Sequence, residues 1–434
     1  MSPSTIAMAR TSWLFVLVIA FSLIPEWGRG AERSASLPKV YYFDPKAMLV
    51  AKKQLEAGKT SLKPALDRLL EDANRALRVK PPSVMDKHRI PPSGDKHDYI
   101  SQAPYYWADT NSPGQHYIRR DGERNPESNV DSDAGRLGSV CSNVTTLGLA
   151  YYFTDDEKYA AKAAQLLRVF FLDPATRMNP NLNFGQGIPG EVDGRPTGLI
   201  GARGFVSLMD ALSLLANSKS WPAADQQQMR AWLEQYFQWL TTSKIGIGEY
   251  DAKNNHGSFY DCQASAIALY LGRIEFARNL IMSARTNRIA RQIEPDGREP
   301  FELARTRSFG YSSFNLRALM DLASLGQRAG VDLWYYHSPR GGSIYRVLQF
   351  MAPYADPARK WPFQQIHGYN HDALADLLLR AVPEYPFSDL NKYLKFYPNS
   401  QLAADRSRLV FRTATVSVKS APAAKPSQPA ATKS

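Results

Sequence analysis

The chain is poor in cysteine: Cys141 and Cys262 are the only two in 434 residues. Two thiols exclude a disulfide-built scaffold and a four-cysteine zinc site. Long apolar runs are scarce too. The best candidate, residues 13–24, is shorter than the roughly twenty residues a membrane-crossing helix needs. A glycine-rich dinucleotide turn, a phosphate-binding loop and a G-x-S-x-G elbow are all missing, so nucleotide binding and an α/β-hydrolase lack support. Strand-like patterning is confined to 39–43 and 408–412. The excess charge of +12 is not gathered into a basic block, which argues against a nucleic-acid arm. Dispersed positive charge suits an anionic polymer such as an acidic polysaccharide, and equally suits general solubility.

The remaining composition is that of a globular protein with a large core: 44% hydrophobic and 22% charged residues. Arg10 precedes the apolar run, and Gly28, Gly30 and Ala31 follow it. That order is a secretory signal peptide over residues 1–30. The mature protein is therefore expected to be periplasmic or secreted, with no stable membrane association after signal removal. Cys141 and Cys262 could pair in that compartment or remain two buried thiols. Residues 413–434 are an Ala/Pro/Lys/Ser mixture that cannot bury a core and read as a disordered tail. The folded domain is placed at 31–412.

Helical periodicity dominates this domain. Leu137, Val140, Val144 and Leu147 share a face, as do Ala163, Leu166, Leu167 and Phe170. Further helices are expected at 203–217, 223–241, 257–271, 273–291, 312–328, 343–354 and 371–381. Tandem helices without a strict repeat point to helical hairpins wound into an (α/α) toroid or a solenoid. Two long loops, about 80–130 and 173–202, interrupt the helices, and loops of that length are often functional.

The loops carry the chemistry. The first contains Lys96, Tyr105, Tyr106, Trp107, Tyr117, Arg119 and Arg120. Flat rings stack on sugar faces, and guanidinium groups meet carboxylates, so these residues suit an acidic carbohydrate. The second loop is rich in amides and glycine and carries Gln186 and Arg195. Asn254-Asn255-His256-Gly257 stands at the entry of a helix, where the asparagines can cap it and the helix dipole helps keep His256 neutral. In Arg305-Thr-Arg307-Ser-Phe-Gly-Tyr311, Arg307 and Tyr311 share a helix face, Arg305 is expected to point elsewhere, and positive charge near Tyr311 favours phenolate. His367 and His371 lack a clear third ligand for zinc.

Together, Lys-His-Asp-Tyr…Ala-Pro-Tyr-Tyr-Trp, Tyr-Ile-Arg-Arg-Asp-Gly-Glu-Arg-Asn-Pro-Glu, Asn-Asn-His-Gly-Ser-Phe-Tyr-Asp and Arg-Thr-Arg-Ser-Phe-Gly-Tyr resemble the alginate lyase family of helical-toroid polysaccharide lyases. The resemblance spans roughly residues 40–395. It implies an all-α fold, an (α/α) toroid or incomplete helical barrel with long active-site loops, and β-elimination on a uronic-acid polymer without a catalytic metal or other cofactor. It implies catalytic roles for Tyr311, His256, Asn255 and Arg305. The other loop residues above, with Asn254 and Arg307, would bind the polyuronate. In one branch of the family the catalytic tyrosine follows the arginine by seven residues, whereas Tyr311 follows Arg305 by six and Arg307 by four. The chain therefore matches another branch, with Arg305 as neutraliser. Alginate is the first expectation, glucuronan or another polyuronate the alternative. A toroid hydrolase would instead need a carboxylate pair, to be sought among Asp98, Asp121, Glu191 and Asp261. A non-catalytic polysaccharide-binding protein would keep the aromatics and arginines but not need Tyr311.

Overall fold

The structure is a computed structural model describing residues 36–111 and 116–416. The expected signal peptide, and the tail from 417, lie outside the described residues. Four helices form an inner series: Asp133–Thr154, Phe205–Leu214, Asn255–Tyr270 and Ser308–Ala329, each packed on the next. Glu157–Leu167, Ile274–Ala284 and Ile344–Met351 pack on this series from outside. The inner helices are buried nearly all round, as expected for helices covered on every side. The outer ones are amphipathic. Local sequence sets several boundaries. Asp156 caps Glu157–Leu167 by accepting from Lys158 N–H, and the left-handed Gly330 (φ 74°) ends Ser308–Ala329.

The first and last described helices meet. Pro45–Glu56 packs on Ser407–Val410, and Asp44 N–H donates to the Val410 carbonyl at 2.8 Å. Both expected strands are therefore corrected. Residues 408–412 lie mostly in that last helix. Residues 39–43 form an extended anchor whose partner is a side chain rather than a strand. The N–H groups of Tyr41, Tyr42 and Phe43 donate to the carboxyl of buried Asp210 at 2.6, 3.0 and 2.7 Å. The tail boundary also moves, because Ala414 and Val416 are buried and Ala414 N–H donates to the Leu379 carbonyl. Cys141 and Cys262 are two separate buried thiols.

The expected 273–291 helix is interrupted. A π turn, Arg285–Ile289, follows Ile274–Ala284 and carries the buried Arg288. Its guanidinium pairs with buried Asp261 at 2.8 Å and donates to the Tyr250 and Ala252 carbonyls, holding the segment that leads into Asn255–Tyr270.

The long loops contain short strands. Ile100–Gln102 pairs in parallel with Phe184–Gly187, which joins the two loops. Tyr106–Ala108 pairs antiparallel with Tyr117–Arg119. The first loop is fixed from beneath by Lys87. Its fully buried ammonium donates to the carbonyls of Val84, Lys96 and Asp98 and pairs with Asp133 at 2.9 Å.

Asp210→Ala would leave three anchoring N–H groups without an acceptor, so it is expected to lower stability by about 3 kcal/mol. Urea unfolding measures this. Asp210→Asn, which keeps one carbonyl acceptor, should lose less, and an unchanged midpoint in the alanine variant would refute the anchor.

Candidate active site

The Asn255–Tyr270 helix begins where its sequence says. Asn254 Oδ1 accepts from His256 N–H at 3.3 Å. Gly257 is required by close packing: a Cβ there would lie 2.3 Å from the Ala252 carbonyl oxygen and 2.8 Å from the Arg288 guanidinium. Asn255 is 1% exposed, and its N–H and Nδ2 donate to Glu302 at 2.6 and 2.8 Å. His256 Nδ1 lies 2.7 Å from Oε1 of buried Glu249. Nδ1 is thereby engaged by this carboxyl, and Nε2 is the ring nitrogen left for chemistry.

The helix Ser308–Ala329 starts one residue after Arg307, which changes the expected geometry. Arg307 is its N-cap, and Arg305, outside the helix, is the residue that meets Tyr311. The Arg305 guanidinium lies over the Tyr311 ring at 3.7 Å, and its Nη2 donates to the Tyr311 hydroxyl at 2.8 Å. The Tyr311 hydroxyl in turn donates to the Tyr105 hydroxyl at 2.6 Å. Asp121, from the first loop, holds Arg305 through Nε and Nη2 at 3.0 and 2.6 Å and accepts from Thr306 N–H. The contact is close because Gly122, at φ 77°, has no side chain: a Cβ would sit 2.4 Å from Thr306 Oγ1. Burial opposes ionisation of Asp121, but the Arg305 and Thr306 bonds outweigh it and hold its pKa well below the carboxylate range. Tyr311 moves the other way from the phenolate expectation. Burial raises it, Tyr105 adds to this, and Arg305 offsets only part.

Second-loop residues complete the wall. Gln186 is a non-glycine residue at φ 50°, a strained conformation that recurs at functional sites. Arg195 spans its backbone carbonyl and its side-chain oxygen at 3.0 and 3.1 Å. Arg195 also lies over the Tyr106 ring at 4.9 Å.

These elements enclose a cavity of about 590 Å³. Its wall holds eleven of the residues singled out in the sequence: Tyr105, Tyr106, Arg119, Gln186, Arg195, Asn254, Asn255, His256, Arg305, Arg307 and Tyr311. Four others lie elsewhere. Trp107 alternates away from Tyr106 along the strand, donates to the Glu123 carbonyl and stacks under Arg120. Tyr117 donates to Glu127. The Lys96 carbonyl supports Lys87. Sequence reasoning missed Arg124, Arg203 and Phe314 on the wall, and Glu249 and Glu302 behind it. Two signals were available, both in segments already singled out: Arg124 within Tyr117–Glu127, and the spacing Glu302-x-x-Arg305.

The wall contains six arginines and no Asp or Glu. The four carboxylates weighed for hydrolysis are engaged elsewhere: Asp98 by Asn179 and Asn181, Asp121 by Arg305, Glu191 by Tyr117 N–H and Asp261 by Arg288. No group of His, Cys, Asp and Glu suited to a metal occurs among the described residues, and His371 Nδ1 donates to the Tyr354 carbonyl.

Gly257→Ala should distort the entry of the Asn255–Tyr270 helix. Activity is expected to fall roughly a hundredfold, since a misplacement of about 1 Å has that effect. Steady-state kinetics beside a near-native circular dichroism spectrum would show it. Wild-type activity would refute the packing argument.

No curated protein sequence matches the chain. The family model described as alginate lyase matches residues 83–361. Among solved structures, an alginate lyase from Bacteroides ovatus is similar at 39% identity and a TM-score of 0.80, covering 86% of this chain and 99% of its own. Alginate lyase A1-III from Sphingomonas species A1 is 17% identical, with a TM-score of 0.53, 87% of this chain and 97% of its own covered. A histidine-to-alanine variant of A1-III complexed with a tetrasaccharide gives 0.55 at the same identity and coverage. The last two share the fold, a helical toroid. Matched over most of its length by the family model and by the Bacteroides ovatus enzyme, the chain belongs to the alginate lyase family and is a polysaccharide lyase.

Proposed function

We propose that the protein cleaves alginate by β-elimination in the arginine-lined cavity. The observation that carries this reading is a wall where Tyr311, His256 and Asn255 meet six arginines and no carboxylate. Abstraction of the C5 proton builds negative charge on the adjacent uronate carboxylate, which must be stabilised as it forms. Arg195 suits that task better than Arg305. Its partners Gln186 and Tyr106 are neutral, whereas Asp121 already offsets Arg305. The second Nδ2 hydrogen of Asn255 adds a donor.

His256 Nε2 takes the C5 proton, with Glu249 behind Nδ1. The C4–C5 double bond forms, the C4–O4 bond breaks, and Tyr311 gives its proton to O4. A phenol whose pKa is raised stays loaded at high pH, and Arg305 receives the developing phenolate. Solvent returns the proton from imidazolium to Tyr311.

A second cavity of about 680 Å³ adjoins the first and shares Arg124, Gln186 and Arg203 with it. Its wall adds Arg406, again without a carboxylate, and buried Gln102 has a side-chain Nε2 with no partner among the described residues. This favours a polymer lying across both cavities and cleaved internally. Residues 1–30 act as the export signal in this reading, on the strength of the Arg10-plus-apolar pattern. The enzyme then meets its polymer in the periplasm or outside the cell, and the mass of exported protein tests this.

Purified protein should release an ultraviolet-absorbing unsaturated uronate from polymannuronate, polyguluronate or both, with glucuronan as comparison. Tyr311→Phe and His256→Ala should each lower kcat by about 10²–10⁴-fold. New reducing ends without the double bond would make it a hydrolase, and polymer binding without either product would make it a binding protein. Gly138→Trp tests the second cavity, because a Cβ at Gly138 meets nothing within 4 Å and Gly138 is not on the first cavity's wall. It should lower kcat/KM on polymer about tenfold by removing remote binding energy, and spare the shortest oligosaccharides. Equal effects on both would refute the extended cleft.

A further inference from the structure

Two carboxyls behind the cavity wall are not among the groups that exchange protons in the elimination. Glu302 lies in the short helix Pro300–Leu303, three residues before Arg305, and Glu299 directly precedes that helix. Each is 1% exposed. Glu302 takes the N–H of Asn255 on Oε1 and its Nδ2 on Oε2. Both oxygens accept, which is the arrangement of a carboxylate, and it stands at the N-terminus of a sixteen-residue helix, where an anion is favoured.

Glu299 differs. Its Oε1 accepts from Asn315 Nδ2 at 2.6 Å, while its Oε2 is buried without a partner among the described residues. Asn315 Oδ1 is buried and unpartnered as well. One proton on Glu299 Oε2, donated to Asn315 Oδ1, would satisfy both atoms and close an acid–amide ring. Burial, then the neighbouring Glu302, push Glu299 well above the usual carboxyl range. Burial raises Glu302 too, against the pull of the Asn255 bonds, Arg305 and His256.

We propose that Glu302 is a positioning residue that orients the Asn255 carboxamide for the substrate carboxylate, and that Glu299 holds the single proton this pair shares. The role assigned to Asn255 rests on the β-elimination reading; the proton does not. The charged groups around the pair are Arg305 on its own segment and His256 on the catalytic helix, the latter backed by Glu249. The Ser308–Ala329 helix presents only neutral Asn315. Through Gln292, Asn315 also reaches the Asn254 carbonyl, at 2.9 and 3.3 Å, so both carboxyls act on the same helix entry. Loss of the Glu299 proton at alkaline pH places a second negative charge beside Glu302 and removes the donor to Asn315. Asn255 is then displaced and kcat falls as pH rises.

Glu299→Gln reproduces the neutral acid: its oxygen accepts from Asn315 Nδ2, its amide donates to Asn315 Oδ1, and it cannot titrate. It should extend the alkaline limb of kcat by about one pH unit or more. Glu302→Gln turns an amide donor onto an Asn255 donor and should lower kcat roughly tenfold or more, with a smaller change in KM. Infrared spectroscopy of wild-type protein supplies a readout independent of turnover. In the wild-type minus Glu299→Gln difference spectrum, a buried carboxylic-acid C=O band should be present at neutral pH and disappear over the range in which kcat falls; the difference removes the contribution of other buried carboxyls such as Asp210. No such band, or superimposable pH profiles for wild type and Glu299→Gln, would overturn the shared proton. Unchanged kcat in Glu302→Gln would overturn the positioning role. Wild-type protein that yields no unsaturated product would instead refute the elimination, with the band still deciding the proton.

Discussion

The pairing of Asp121 with Arg305 is the contact on which the site depends. It joins the first long loop to the segment entering the Ser308–Ala329 helix, across 184 residues of sequence. It orders the guanidinium that lies over Tyr311, and it brings Tyr105 within 2.6 Å of the Tyr311 hydroxyl. Two charge-assisted bonds plus the Thr306 N–H are strong enough to hold a partly exposed loop, because a bidentate guanidinium–carboxylate pair fixes direction as well as distance. Gly122 makes the approach possible, since any larger residue would meet Thr306.

Around this pair the charges are sorted by depth. Arginines face the cavity, and carboxyls stand one layer behind it: Glu249 under His256, Glu302 under Asn255, Asp121 under Arg305. A negative polymer therefore meets positive charge at the wall. The carboxyls behind fix the atoms that would move protons or stabilise charge. This arrangement asks much of the fold, because buried carboxyls are costly unless hydrogen-bonded. Asn315 on the inner helix Ser308–Ala329, with Arg288 and Gln292 on the segment after Ile274–Ala284, supplies buried polar support in otherwise apolar surroundings.

Much of the fold was legible in the chain. Apolar spacing marked the helices around 137–147, 163–167 and 223–241, where a regular helix turns a continuous apolar stripe into the core, with Phe170 falling just beyond, in the π turn Arg168–Leu172. It failed at 273–291, where the chain widens into a π turn carrying Arg288, and at 39–43, where Asp210 takes the place of a strand partner. Eleven of fifteen candidate site residues line the cavity. Trp107 and Tyr117 lie off this wall; in a loop without visible periodicity, nothing reveals which side of a short hairpin faces the cleft.

By itself the sequence determined a mainly helical chain, two long loops rich in aromatics, arginines and amides, and an asparagine-capped helix entry at Asn254–His256. These are local properties: periodicity, capping and side-chain chemistry. Only tertiary structure decided which arginine touches Tyr311, that Tyr311 is pushed toward its protonated form, and that Glu249 and Glu302 stand behind the entry of the Asn255–Tyr270 helix. Each of those depends on burial and on contacts between distant segments, and neither burial nor long-range direction is encoded in local spacing.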